Sequence, residues 1–130
     1  MSMKKKEQAA VEDEFRDLGL TLVYLKPQAH SSITRQDRRF RAHYGASWRT
    51  VARLWRAIEK VEEEDVGGDL GGIEKRHLLW TLYFMKVYST EENCAAKFAC
   101  DEKTFRKYVW RYIKKISLLA QFYVSENNSW

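Results

Sequence analysis

The sequence predicts an all-α fold: about five helices around a buried central helix, with a helix-turn-helix among them. Three observations lead there. Apolar residues recur at i, i+3, i+4, i+7 in two separate segments. A twelve-residue apolar stretch, His77 to Tyr88, carries no turn signal. Cap and stop residues punctuate the chain at helix-length intervals. The 130 residues, 45% apolar and 32% charged, suit one domain with a single core.

The elements follow in order. Residues 1–30 read as a polar N-terminal tail or arm. Residues 1–17 are mixed in charge and fit a frayed helix or a tail. Thr21 to Lys26 (TLVYLK), rich in β-branched and aromatic residues, reads as a short extended segment or an irregular arm packing on the core, stopping at Pro27. A helical domain spans 31–118. Ser31 to Thr34 offer caps for a helix from about Arg35 to Tyr44, with Gly45 as its left-handed stop. Ser47 caps a second helix, on which Val51, Leu54, Trp55 and Ile58 share one face while Arg49, Arg53, Arg56 and Lys60 avoid it. That helix is expected to fade in the acidic run Glu62 to Asp65. Residues 66–72 (VGGDLGG) hold four of the six glycines and read as a loop, not a phosphate loop, since no Lys-Ser/Thr pair follows. His77 to Tyr88 is apolar nearly all round, the pattern of a buried helix.

The segment from Thr90 is the most informative. Thr90 caps a short helix holding Cys94, Ala95 and Phe98, with Glu91 and Glu92 near its positive end. A tight turn at Ala99-Cys100 follows. Asp101 then caps a helix running to about Leu118, leaving 119–130 as a C-terminal tail. On this last helix Phe105, Val109, Tyr112, Ile113 and Ile116 fall on one side. Lys103, Lys107, Arg111 and Lys114 fall on the other, within roughly 80° of arc. Thr104 and Arg106 flank the stripe. A short helix, a turn and a basic second helix make a helix-turn-helix pattern. In it, Lys103, Thr104, Arg106 and Lys107 would meet bases, and Arg111, Lys114 and Lys115 would meet phosphates. Tyr108, Trp110 and Tyr112 read as packing residues rather than stacking platforms. The first helix pair is a looser match, because Arg41 stands where a small residue is usual; it reads as a packing pair whose arginines touch phosphate or solvent, with a second DNA-facing unit as the alternative.

The charge admits an anionic partner, although each basic block equally fits a solvated helix face. The net charge is +5, unevenly spread. Residues 35–60 carry eight basic against two acidic side chains, and residues 103–130 six against one. Residues 61–102 carry ten acidic against four basic. Other classes fall away. Two cysteines make no disulfide framework, and three scattered histidines no zinc spacing. No cofactor or metal is expected. The longest near-continuous apolar run, Leu78 to Met85, is far short of the ~20 residues that span a bilayer, and the start resembles no signal peptide. These features predict an intracellular protein with reduced thiols. No catalytic constellation stands out, and the Glu62–Asp65 carboxylates are contiguous, so they diverge around a helix.

The stretch HLLWTLYFMKVYSTEENCAAKFACDEKTFRKYVWRYIKKI, with FRAHYGASWRTVARLW upstream, resembles the region before the catalytic domain of PIF/Harbinger-like DDE transposases, notably protist and algal forms. The resemblance covers residues 38–118 and is most specific over Cys100 to Trp110 (CDEKTFRKYVW). It implies a helix-turn-helix over Thr90 to Ile116, double-stranded DNA as partner, and a nuclear location, to which Lys4 to Lys6 add little. Contact with a second copy or another transposon-encoded protein belongs instead to an alternative function. The family's metal-dependent catalytic domain has no counterpart in 119–130. The chain is therefore expected to be a fragment, a truncated copy or a stand-alone derivative, without nuclease activity. The alternative function is a helical protein-interaction or dimerisation domain, suggested by five tryptophans and seven tyrosines.

Overall fold

The structure, a computed structural model, describes residues 3–24, 32–64 and 74–126. Six helices and no strand occur among them: α1 (Met3–Tyr24), α2 (Ile33–Tyr44), α3 (Trp48–Glu64), α4 (Lys75–Val87), α5 (Glu91–Lys97) and α6 (Glu102–Glu126). The glycine-rich stretch 66–72 lies outside the described residues, as do Pro27 and 127–130.

Local signals set most boundaries. Ser32 caps α2 by accepting from the Arg35 N–H at 3.2 Å. Gly45, at φ 78°, closes it by donating to the Arg41 carbonyl. Ser47 Oγ accepts from the Thr50 N–H at 3.2 Å and opens α3. Along α3, Val51, Ala52, Trp55 and Ile58 are buried and Leu54 half-buried.

Two terminal expectations are corrected. Residues 3–24 are one 22-residue helix, so the helical alternative for 1–17 replaces the polar tail, and Thr21 to Tyr24 are helical rather than extended. Phe15, Leu20 and Val23 lie in the core, and Val11, Leu18 and Leu22 pack against it. Val11, Phe15, Leu18 and Leu22 hold helical spacing, and that burial outweighs the strand propensity of Thr21 to Tyr24. At the other end, α6 continues through Leu119 to Glu126 in place of a tail from 119.

Gly19 is where α1 meets α2. The Tyr44 hydroxyl donates to the Gly19 carbonyl at 2.7 Å. A Cβ at Gly19 would run into the buried Phe40 ring and come within 3.1 Å of Tyr44. Ion pairs run along α1: Glu12 with Arg49 (3.2 Å), Glu7 with Arg56 (3.9 Å) and Glu14 with Lys75 (3.2 Å). The first two pair low numbers on α1 with high numbers on α3, so these helices run antiparallel.

On α4, His77, Leu78, Leu79, Trp80 and Thr81 are all buried. The helix touches α1, α2, α5 and α6. Its second half is less enclosed than an all-round apolar pattern suggests: Met85 is exposed, and Tyr88 lies past the helix end at φ 51° and 91% exposed. The Thr81 hydroxyl donates to the His77 carbonyl at 2.8 Å. The Tyr112 hydroxyl of α6 accepts from the Glu74 N–H (3.1 Å) and donates to the Glu74 carbonyl (3.2 Å), tying α6 to the start of α4.

His77 stacks on Tyr108 with ring centroids 3.8 Å apart. Its Nε2 lies 3.1 Å from Glu74 Oε2, while Nδ1 is buried without a partner. A proton on Nδ1 would therefore find no acceptor. Burial lowers His77 to about 4; Glu74 opposes the shift, while Arg76 and Arg111 reinforce it.

Two outcomes are expected. Helix propensity alone would make Gly19→Ala stabilising by about 1 kcal/mol. The clash with Phe40 reverses the sign, and urea unfolding should show a loss of about 1–2 kcal/mol. His77 has a folded pKa below its unfolded value, so the unfolded chain binds the extra proton. Its contribution is present above pH 6.5 and is lost as pH falls toward 4. Between pH 7 and 5 the unfolding free energy should drop by about 1–2 kcal/mol. His77→Phe should flatten that slope.

Candidate nucleic-acid interface

α5 and α6 are joined by a turn whose hydrogen bonds can be followed atom by atom. Thr90 Oγ1 accepts from the Asn93 N–H at 3.0 Å and opens α5, with Glu91 and Glu92 in its first turn. α5 ends in a Schellman motif: Ala99 N–H donates to the Ala96 carbonyl (3.2 Å), and Cys100 N–H to the Ala95 carbonyl (2.9 Å). The left-handed residue of the motif is Ala99, at φ 54°, where glycine is usual. Asp101 Oδ2 then accepts from the N–H groups of Lys103 (3.0 Å) and Thr104 (3.4 Å), starting α6 in a new direction. Cys94 and Ala95 are buried, and Phe98 stacks on Trp80 and Phe105.

α6 is two-faced. Phe105, Val109 and Tyr112 are buried, and Ile113 and Ile116 half-buried. Lys103, Thr104, Lys107 and Lys114 are exposed on the far side. Lys103, Lys107, Arg111 and Lys114 form a row about 16 Å long at 1.5 Å rise per residue. Lys107 Nζ and the Arg111 guanidinium lie 5.3 and 5.6 Å from the Tyr108 ring centre. Lys115 is half-buried, and that burial lowers its pKa. Tyr112 is a core residue and Tyr108 is half-buried. Trp110 is 50% exposed beside Phe84, with ring centroids 6.3 Å apart.

Arg106 is differently placed from the other cations. Its Nε lies 2.6 Å from Glu91 Oε2 and its Nη2 2.9 Å from Glu102 Oε1. The guanidinium is thus held between the first turns of α5 and α6. The Glu102–Arg106 contact has i, i+4 spacing and is readable in sequence. The Glu91 contact spans fifteen residues and exists only in three dimensions. With Asp101 at the α6 cap, three carboxylates lie at the start of the stripe. Cation density is therefore greatest further along, from Lys107 to Lys115.

Among the described residues no cluster of His, Cys, Asp or Glu is arranged to hold a metal ion, and no helix is long and apolar enough to cross a membrane. Cys94 and Cys100 are unpaired. Burial raises both thiol pKa values, and Asp101 raises that of Cys100 further, disfavouring the nucleophilic thiolate.

Protein-family models, curated proteins and solved structures yield no match to this chain. The reading of the α5–α6 unit therefore rests on its residues and geometry.

Ala99 stores backbone strain, since a left-handed non-glycine residue costs roughly 1–2 kcal/mol. Part of any gain from glycine is offset by its freedom in the unfolded chain. Ala99→Gly should raise the unfolding free energy by about 0.5–1 kcal/mol in urea titration, without altering the helix content measured by circular dichroism.

Proposed function

We propose that this chain is a DNA-binding module without catalytic activity of its own, and that α5 and α6 act as a helix-turn-helix on duplex DNA in the nucleus. One observation carries the reading: the row Lys103, Lys107, Arg111 and Lys114 on the side of α6 opposite its buried Phe105, Val109 and Tyr112. A helix of this width enters the major groove. Lys103, Thr104 and Lys107 near its start then face base edges. Arg111, Lys114 and Lys115 meet phosphates. Arg106 takes part by releasing Glu91 and Glu102; otherwise it braces α5 against α6. The resemblance to the DNA-binding region of PIF/Harbinger-like transposases agrees with this assignment and points to transposon-end sequences as the target.

A second reading, a protein-interaction surface, has its own support. Trp110, Tyr88 and Leu118 are large and exposed, and aromatic residues favour interfaces. Light scattering of the pure chain at micromolar concentration separates the two: a dimer that ignores DNA favours the second.

The test is a salt titration of binding to labelled duplexes by fluorescence anisotropy. Each phosphate contact contributes about 0.9 to the slope of log affinity against log salt. Lys107→Ala with Lys114→Ala should lower that slope by about 1–2 and weaken binding at least tenfold. Unchanged affinity would rule out α6 as the contact helix.

A further inference from the structure

A second row of cations lies on α3. Arg49, Arg53, Arg56 and Lys60 recur at i, i+4, i+7, i+11, which places them within roughly 60° of arc and along about 16 Å of helix. They stand away from the buried Val51, Trp55 and Ile58. α1 runs antiparallel beside them. Lys5, Gln8 and Glu12 of α1 and Arg49, Arg53 and Arg56 of α3 line an open groove of about 590 Å³. Glu12 in its wall pairs with Arg49, and Glu7, also on α1, pairs with Arg56. The four cations of the α3 row therefore outnumber these two carboxylates by two. Arg49 is 71% exposed despite its pair, and the Glu7–Arg56 contact, at 3.9 Å, joins two exposed side chains. Such pairs are weak and exchange readily for another anion. Arg53, between them, has no ion pair among the described residues. Gln8 Oε1, in the groove wall, has no hydrogen-bond donor there.

We propose that the α1–α3 groove is a second DNA contact, one that grips the phosphodiester backbone rather than reading bases. This rests on the assignment of duplex DNA as the partner. The geometry decides the mode of contact. A helix with its side chains is about 10–12 Å across, and the major groove is about 12 Å wide. α3 lies against α1, and the two together are too wide to enter. A row of arginines beside a second helix instead suits a strand of phosphates passing over the groove, each guanidinium offering paired donors to phosphate oxygens. Glu7 and Glu12 give up Arg56 and Arg49 when the backbone enters. Arg53 needs no such exchange, so it is the first contact.

The experiment uses the full chain, a labelled 25-base-pair duplex of random sequence and anisotropy across a salt series. Circular dichroism confirms that each variant is folded. Arg53→Gln with Arg56→Gln is expected to lower the salt slope by about 1–2 and weaken binding at least tenfold. Arg53→Lys with Arg56→Lys keeps the charge and should keep most of the slope. A parent-like slope in the double glutamine variant overturns the groove as a DNA contact. The α6 variant Lys107→Ala with Lys114→Ala, measured alongside, separates the two assignments. If it alone loses affinity, the groove proposal fails and the α6 reading stands. If only the groove variant loses affinity, the α6 reading fails and the groove is the DNA surface. In a further arm, NMR follows the Arg53 Nε–H signal. A shift with tripolyphosphate but none with duplex would make the groove a small-polyanion site and overturn its assignment to DNA.

Discussion

His77 to Thr81 are five consecutive residues of α4 without a solvent-facing side chain. At 100° per residue they cover the whole circumference of a helix. Such a segment must be enclosed on every side, and α1, α2, α5 and α6 all touch α4. Burying each large apolar side chain is worth about 1.5–3 kcal/mol, so Leu78, Leu79 and Trp80 alone make this enclosure a major source of stability. The consequences reach the surface. Phe105, Val109 and Tyr112 belong to the same buried cluster as α4, so the residues half a turn away on α6 meet solvent. The exposed position of Lys103, Lys107 and Lys114 follows from the packing on the opposite side of α6.

The enclosure brings polar atoms inside, and most are satisfied locally. The Thr81 hydroxyl returns to its own helix, and the Tyr112 hydroxyl bonds both backbone groups of Glu74. His77 and Trp80 are exceptions: the indole Nε1 of Trp80 has no partner, and neither has Nδ1 of His77, whose ring stacks on Tyr108. A neutral imidazole tolerates that position; an imidazolium carries a second N–H that nothing there can accept. Tyr108 therefore joins three features: the packed histidine, the α4–α6 contact, and the Lys107 and Arg111 cations beside its ring.

Charge is arranged with similar economy. α1 carries the carboxylates that meet Arg49, Arg56 and Lys75, and the first turns of α5 and α6 carry those that meet Arg106. These contacts hold elements in place where the chain itself is positively charged. They leave two cation rows of similar length, one on α3 and one on α6, each on the side of its helix away from the core. An extended polyanion suits such rows better than a compact ligand does, because charge spread along about 16 Å matches a repeating partner.

The all-α class was legible in the sequence, and so were the interior boundaries. Ser32, Gly45, Ser47, Thr90 and Asp101 act through groups within five residues of themselves, so local chemistry specified them. The two faces of α6 were equally readable, since a 3.6-residue period needs no knowledge of the partner. The sequence by itself thus determined the interior helices and which side of each amphipathic one is apolar, but not the helical state of the two ends. Tertiary structure decided the rest. Thr21 to Tyr24 look like a strand locally, and became helix because Val23 and Phe15 find the core formed by distant segments. Gly19 gained its role from a ring twenty-one positions away. Arg106 looked like a base-contacting cation at the flank of the stripe until Glu91 was brought against it. The groove between α1 and α3 exists only because two helices far apart in the chain lie antiparallel. Periodicity and capping act within a few residues and can be read along the chain. Salt bridges, close approaches and grooves depend on which helices become neighbours, and burial of the α4 circumference decides that across the whole chain.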